Sequence, residues 1–107
     1  MLTSSKLQIA GHTIEYDHCQ QRWFDIVGAY SILVYFDRGQ DDFVKKSSKQ
    51  LEKECDIVIQ ISKFGTLVGI QTIPGRQDYT YVENMIASMI RDFNAQNSII
   101  EQWALDN

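Results

Sequence analysis

One proline, two cysteines and two histidines occur in 107 residues, and each scarcity removes a class of explanation. Pro74 stands alone, so there is no proline-rich linker, and neither an internal repeat nor a low-complexity segment interrupts the chain. Cys19 and Cys55 form no C-x-x-C pair, and two cysteines in a cytosolic chain are expected to be reduced and packed. A bridge between them requires Cα atoms within about 7 Å, a condition the spacing leaves open. His12 and His18 are too far apart along extended chain, close to 20 Å at ~3.3 Å per residue, to share a metal. In Asp17-His18-Cys19 neighbouring strand side chains point to opposite faces, so at most two of the three could meet one ion. No metal and no cofactor are expected.

Basic excess is missing too. Ten Lys and Arg stand against 14 Asp and Glu, a net charge of −4, which disfavours nucleic acid as the main partner. No apolar run approaches the roughly 20 residues a membrane helix needs, and Met1–Lys6 lacks the basic start and apolar core of a secretion signal. A cytoplasmic protein with no membrane association is the expectation. Apolar content of 44% with 22% charged residues suits one compact domain over residues 1–107.

Tyr30-Ser-Ile-Leu-Val-Tyr-Phe36 organises the rest. Tyr30, Ile32, Val34 and Phe36 alternate with Ser31, Leu33 and Tyr35, the pattern of a strand inside a sheet with two covered faces. Upstream, Lys6–Ala10 and Thr13–His18 read as a hairpin around Gly11-His12, with Gly11 suited to a type II′ turn. Residues 19–27 fit a helical turn or an irregular strand equally well, and Gly28 permits a bend. After the turn at Asp37–Asp42, acidic residues predict a helix from about Asp42 to Lys53. Its inner stripe is Phe43, Val44, Ser47 and Leu51, and Asp41–Lys45 and Asp42–Lys46 form acid-before-base pairs. Cys55, Ile57, Ile59 and Ile61 alternate along a further strand, and Lys63-Phe-Gly65 turns it into a partner over Thr66–Ile73. Gly69 marks a bulge or a close approach in that partner. Strand, helix, strand predicts a crossover to a parallel neighbour. Pro74-Gly75 signals a type II turn. Thr80-x-x-Glu83 is a capping box ahead of the stripe Val82, Met85, Ile86, Met89, Ile90 and Phe93. Ser98-x-x-Glu101 is a second box, predicting either a separate short helix carrying Ile99, Ile100, Trp103 and Leu105 or one long kinked helix. The expected fold is α+β: a single-layer mixed sheet of about five strands in β-β-β-α-β-β-α order, with helices packed on it.

Chemistry-bearing groups are sparse. A Cys–His nucleophile needs its members within hydrogen-bond reach; Cys55 continues an apolar strand face and is expected to pack. Lys45, Lys46, Lys49 and Lys53 form a basic ridge, read as a solvated face. Arg76, just ahead of a helix start, suggests an anion site, although Asp78 opposes it. The aromatics of 28–36 are read as core in preference to an RNA-stacking surface. Tyr79, Tyr81, Trp23 and Trp103 suit contact surfaces and pocket rims, or equally complete the core. Three functional readings follow. The leading one is a non-enzymatic binding module acting as a homodimer or on a protein partner, motivated by the apolar C-terminal segment. A second is a small-molecule pocket between the sheet and the last helix, lined by Tyr30, Val34, Met85 and Met89. The third is a small enzyme using Cys55 or His18.

Overall fold

Tight turns set the order of the strands. In the computed structural model, which describes residue 2, residues 6–39 and residues 45–106 (95–106 by backbone alone), three hairpins close on two-residue loops. β1 (Leu7–Ile9) returns as β2 (His12–Ile14) through Ala10-Gly11, both at positive φ. That is a type I′ turn centred one residue earlier than the expected type II′ turn. The expected second strand is also divided: after Ile14 the chain leaves the small β1–β2 sheet, and β3 (Tyr16–Asp17) joins the main one.

Residues 19–27 resolve into a turn and a strand. Asp17 Oδ1 accepts the backbone N–H groups of Cys19 and Gln20 at 2.8 and 3.1 Å, an Asx turn, and β4 (Arg22–Val27) follows. Gly28, at φ +63°, then turns β4 into β5 (Tyr30–Asp37). β6 (Asp56–Lys63) and β7 (Thr66–Ile73) join at Phe64-Gly65, again with both φ positive. The main sheet has the order β3-β4-β5-β6-β7, and every neighbouring pair is antiparallel. The expected parallel crossover does not form. Asp37 pairs with Asp56, so the chain leaves β5 and enters β6 at the same end of the sheet, and the intervening helix caps that end without crossing it.

That helix, α1 (Ser48–Glu54), starts later than the acidic run suggested. Ser47 is its N-cap, and Ser47 with Gln50 forms a capping box, which satisfies the first free N–H groups and fixes the start. Asp41, Asp42, Phe43 and Val44 lie outside the described residues. Within the helix only Leu51 is buried, and Lys46 pairs with Glu54 at 2.9 Å. Tyr16 Oη meets Ser48 Oγ at 2.7 Å and Gln21 Nε2 donates to the Lys46 carbonyl at 2.8 Å, tying α1 to the β3–β4 hairpin.

α2 (Tyr79–Asp106) is one continuous helix, so Ser98-x-x-Glu101 does not start a second one. Its cap is Asp78, whose Oδ1 accepts the Tyr81 N–H at 2.9 Å and whose carbonyl accepts Val82 N–H. Thr80 therefore lies inside the first turn, and Glu83 instead accepts the Gln8 backbone N–H, joining α2 to β1. Val82 and Ile86 are fully buried, with Met85, Met89 and Ile90 packed beside them. The core lies between α2 with the β1–β2 hairpin and one face of the sheet, where Trp23, Val27, Ile32, Val34, Phe36, Ile57, Ile59 and Ile61 converge. Trp23 is its aromatic hub, with ring centroids 4.5 Å from Tyr16 and 5.8 Å from Phe36; it is fully buried and presents no contact surface. Gly69 serves both expected purposes. It sits beside a register shift opposite Ile61/Ser62, and a Cβ there would stand 3.2 Å from Met89 Cε.

Among the described residues, no helix is long and apolar enough to cross a membrane.

Candidate functional site

Among the described residues, no helix lies over the second face of the sheet. Strand alternation puts Phe24 and Ile26 of β4, Leu33 and Tyr35 of β5, Val58 and Gln60 of β6, and Leu67 and Ile70 of β7 on this side. In the hydrogen-bonded register one row reads Phe24–Leu33–Gln60–Ile70 and the next Ile26–Ser31–Ser62–Leu67. Phe24 is 48% exposed, Ile26 58%, Leu67 53% and Ile70 56%, whereas the opposite face is filled. Tyr35 Oη accepts Gln60 Nε2–H at 2.6 Å, which quiets the polar atoms at the centre. Arg22 lies over the Phe24 ring at 5.5 Å. With strands about 4.8 Å apart and successive same-face residues about 6.6 Å apart, the patch measures roughly 15–19 Å on a side. The expected two covered faces of Tyr30–Phe36 are not both present: Ile32, Val34 and Phe36 are buried in the core, whereas Ser31, Leu33 and Tyr35 are only partly buried.

A second feature lies outside the sheet, between the two helices. A cavity of about 720 Å³ opens between α1 and the start of α2, lined by Lys49, Glu52 and Lys53 from α1, by Arg76, Gln77, Asp78 and Tyr79, and by Leu2. Gly75 makes the junction. Its N–H donates to Asp56 Oδ1 at 3.2 Å, and a Cβ on it would lie 2.5 Å from the Cys55 carbonyl oxygen. The Pro74–Arg76 loop thus presses against the C-terminal end of α1. Positive φ falls on Arg76, at +66°, and not on Gly75, so the expected type II turn is replaced by a glycine needed for close approach. A further cavity of about 530 Å³ includes Arg22, Leu33 and Tyr35 and adjoins the open face.

The residues singled out in the sequence separate into groups. Arg76 and Tyr79 line the α1–α2 cavity together with Lys49 and Lys53 of the basic ridge; Tyr81 is exposed nearby on α2. Tyr30, Met85 and Met89 pack against the core and Val34 is fully buried. Tyr30 ties the sheet to α2: its hydroxyl donates to Asn94 Oδ1 at 2.6 Å, and its ring meets Phe93 edge-on at 6.4 Å. Neither cavity described is lined by any of these four residues. Trp103, Ile99, Ile100 and Leu105 belong to the part of α2 whose side chains lie outside the described residues.

Both cysteines are free thiols, Cys19 exposed and Cys55 buried. Burial pushes the Cys55 thiol above its ordinary pKa, against the opposing influence of Lys46, which makes it a poorer nucleophile. His18 is exposed and stacks edge-on to Tyr16 at 4.8 Å. No group of three or more His, Cys, Asp or Glu side chains among the described residues could hold a metal ion.

No protein-family model, curated protein or solved structure matches the chain.

Proposed function

We propose that the protein is a non-enzymatic interaction module that self-associates as a homodimer through the open face of its sheet. The observation that supports this most directly is the exposure of Phe24, Ile26, Leu67 and Ile70 in register on one uncovered face. The largest exposed apolar patch of a monomer, typically a few hundred Å², is often functional. The face suits a second copy of itself. It carries Arg22 beside Asp17 at one edge and Asp37 and Asp56 at its end, and a two-fold axis parallel to the strands, between β5 and β6, sets β4 over the partner's β7. Phe24 then packs on Ile70 and Ile26 on Leu67, Arg22 faces Thr72, and Asp37 meets Asp56 at the end of the interface, a like-charge contact that weakens the dimer. Two sheets stacked this way interdigitate their side chains at a spacing of about 10 Å. The patch is smaller than the roughly 800 Å² per partner of a standard stable interface, so the dimer is weak and concentration-dependent. We place the protein in the cytoplasm, a reading supported by its two free thiols.

Sedimentation velocity over a hundredfold range of concentration tests the proposal, comparing wild type with Ile70→Glu. Ile70 is more than half exposed, so a carboxylate there leaves the fold intact and introduces two like charges into the dimer. Wild type should move from monomer to dimer across the range, and Ile70→Glu should remain monomeric with an unchanged melting temperature. A wild type that stays monomeric at the highest concentration sinks the homodimer.

A further inference from the structure

We propose that the cavity between α1 and the start of α2 binds a small organic phosphate, with Lys49, Lys53 and Arg76 holding the phosphate and Tyr79 and Leu2 receiving the organic part. Two basic features, each weak along the chain, converge there. Lys49 and Lys53 are one helical turn apart on α1, and Arg76 comes from the loop ahead of α2. The tight approach of Gly75 to the Cys55 carbonyl sets these segments side by side. Ion pairs among the described residues join Lys6 to Glu15 and Lys46 to Glu54, and neither involves the three cations of the cavity. Three such cations on one concave surface, in a chain of net charge −4, form a local positive field opposed to that of the whole molecule.

Two carboxylates also line the cavity and limit the ligand. Asp78 is engaged in capping α2 through the Tyr81 N–H, and Glu52 offsets a second positive charge. The remaining balance is positive by one charge (three cations less two carboxylates). Cations arriving from two separate elements surround a tetrahedral dianion better than they match a flat carboxylate, and the guanidinium can bind phosphate through two parallel hydrogen bonds. Tyr79, 47% exposed, offers a ring for an aromatic or other flat body. The volume of about 720 Å³ lies within the range of small-molecule sites. This site is separate from the open sheet face, so its failure leaves the dimer untouched.

Titration calorimetry with phenyl phosphate, inorganic phosphate and benzoate tests the proposal on wild type, Arg76→Gly and Lys53→Gln. Arg76 holds φ at +66°, a conformation glycine adopts without strain. Arg76→Gly therefore removes the guanidinium while the melting temperature holds or rises, and loss of binding cannot be ascribed to unfolding. Phenyl phosphate should bind saturably, more tightly than inorganic phosphate or benzoate, and Arg76→Gly should weaken it about tenfold or more. Lys53→Gln should weaken it less, in the same direction. Absence of saturation up to about 10 mM phenyl phosphate, benzoate binding as tightly as phenyl phosphate, or equal binding by Arg76→Gly would each overturn the assignment.

Discussion

Gly75→Ala should be among the most damaging single-methyl additions in this protein, although no left-handed backbone is involved. The added Cβ would stand 2.5 Å from the Cys55 carbonyl oxygen and 3.3 Å from its carbonyl carbon, well inside van der Waals contact. Neither group can yield cheaply. Cys55 caps α1, its N–H donating to Leu51 O at 3.0 Å, and the next residue, Asp56, opens the internal strand β6. The loop must therefore lift, at about 1–3 kcal/mol for overpacking. Lifting it also breaks the Gly75 N–H bond to Asp56 Oδ1, worth about 0.5–1 kcal/mol at this exposed position. A total of about 1.5–4 kcal/mol is a large share of the ~5–15 kcal/mol of a typical domain and lowers the melting temperature by roughly 8–20 °C. Thermal and urea denaturation measure it, with Gly11→Ala as control. Gly11 has positive φ but open space around it, so its substitution costs backbone strain alone, about 1 kcal/mol. Equal losses in the two variants would show that the Gly75–Cys55 contact is not tight, and the account of how Arg76 reaches Lys53 would go with it.

Stability should fall on the alkaline side. Burial raises the Cys55 thiol above its ordinary value of 9.0 and the Tyr16 hydroxyl above 10.0, the latter despite its hydrogen bond to Ser48. Both groups thus favour their protonated forms in the fold, so their stabilisation is complete below about pH 9 and is lost as pH rises through the raised values. The urea midpoint should hold from pH 7 to about 9 and then decline, less steeply in Cys55→Ala and Tyr16→Phe; a midpoint that stays flat to about pH 11 contradicts this. Thiol labelling of the native protein should modify Cys19 rapidly and Cys55 only on unfolding. Rapid native modification of both would mean that the α1 end of the core opens readily.

The elements legible in the chain are those written in short-range periodicity. Alternation through Tyr30–Phe36 and Ile57–Ile61, the Phe64-Gly65 turn and the stripe from Val82 to Phe93 depend on residues two to four apart, and each is present in the structure. Capping at α1 was misassigned: Ser47, expected on the inner stripe, is the N-cap with Gln50, and the acidic run before it drew the helix start too early. Thr80 lost the α2 cap because Asp78 could already bond to the Tyr81 N–H. Periodicity names two faces of a strand and not which one is covered, so the open face of Leu33 and Tyr35 emerged only from the packing of α2 and the β1–β2 hairpin on the other side. The antiparallel pairing of β5 with β6 depended on α1 returning the chain to the end it had left. Lys49, Lys53 and Arg76 share a cavity because one glycine lets two backbones touch. That contact joins residues distant along the chain, and no local rule specifies it.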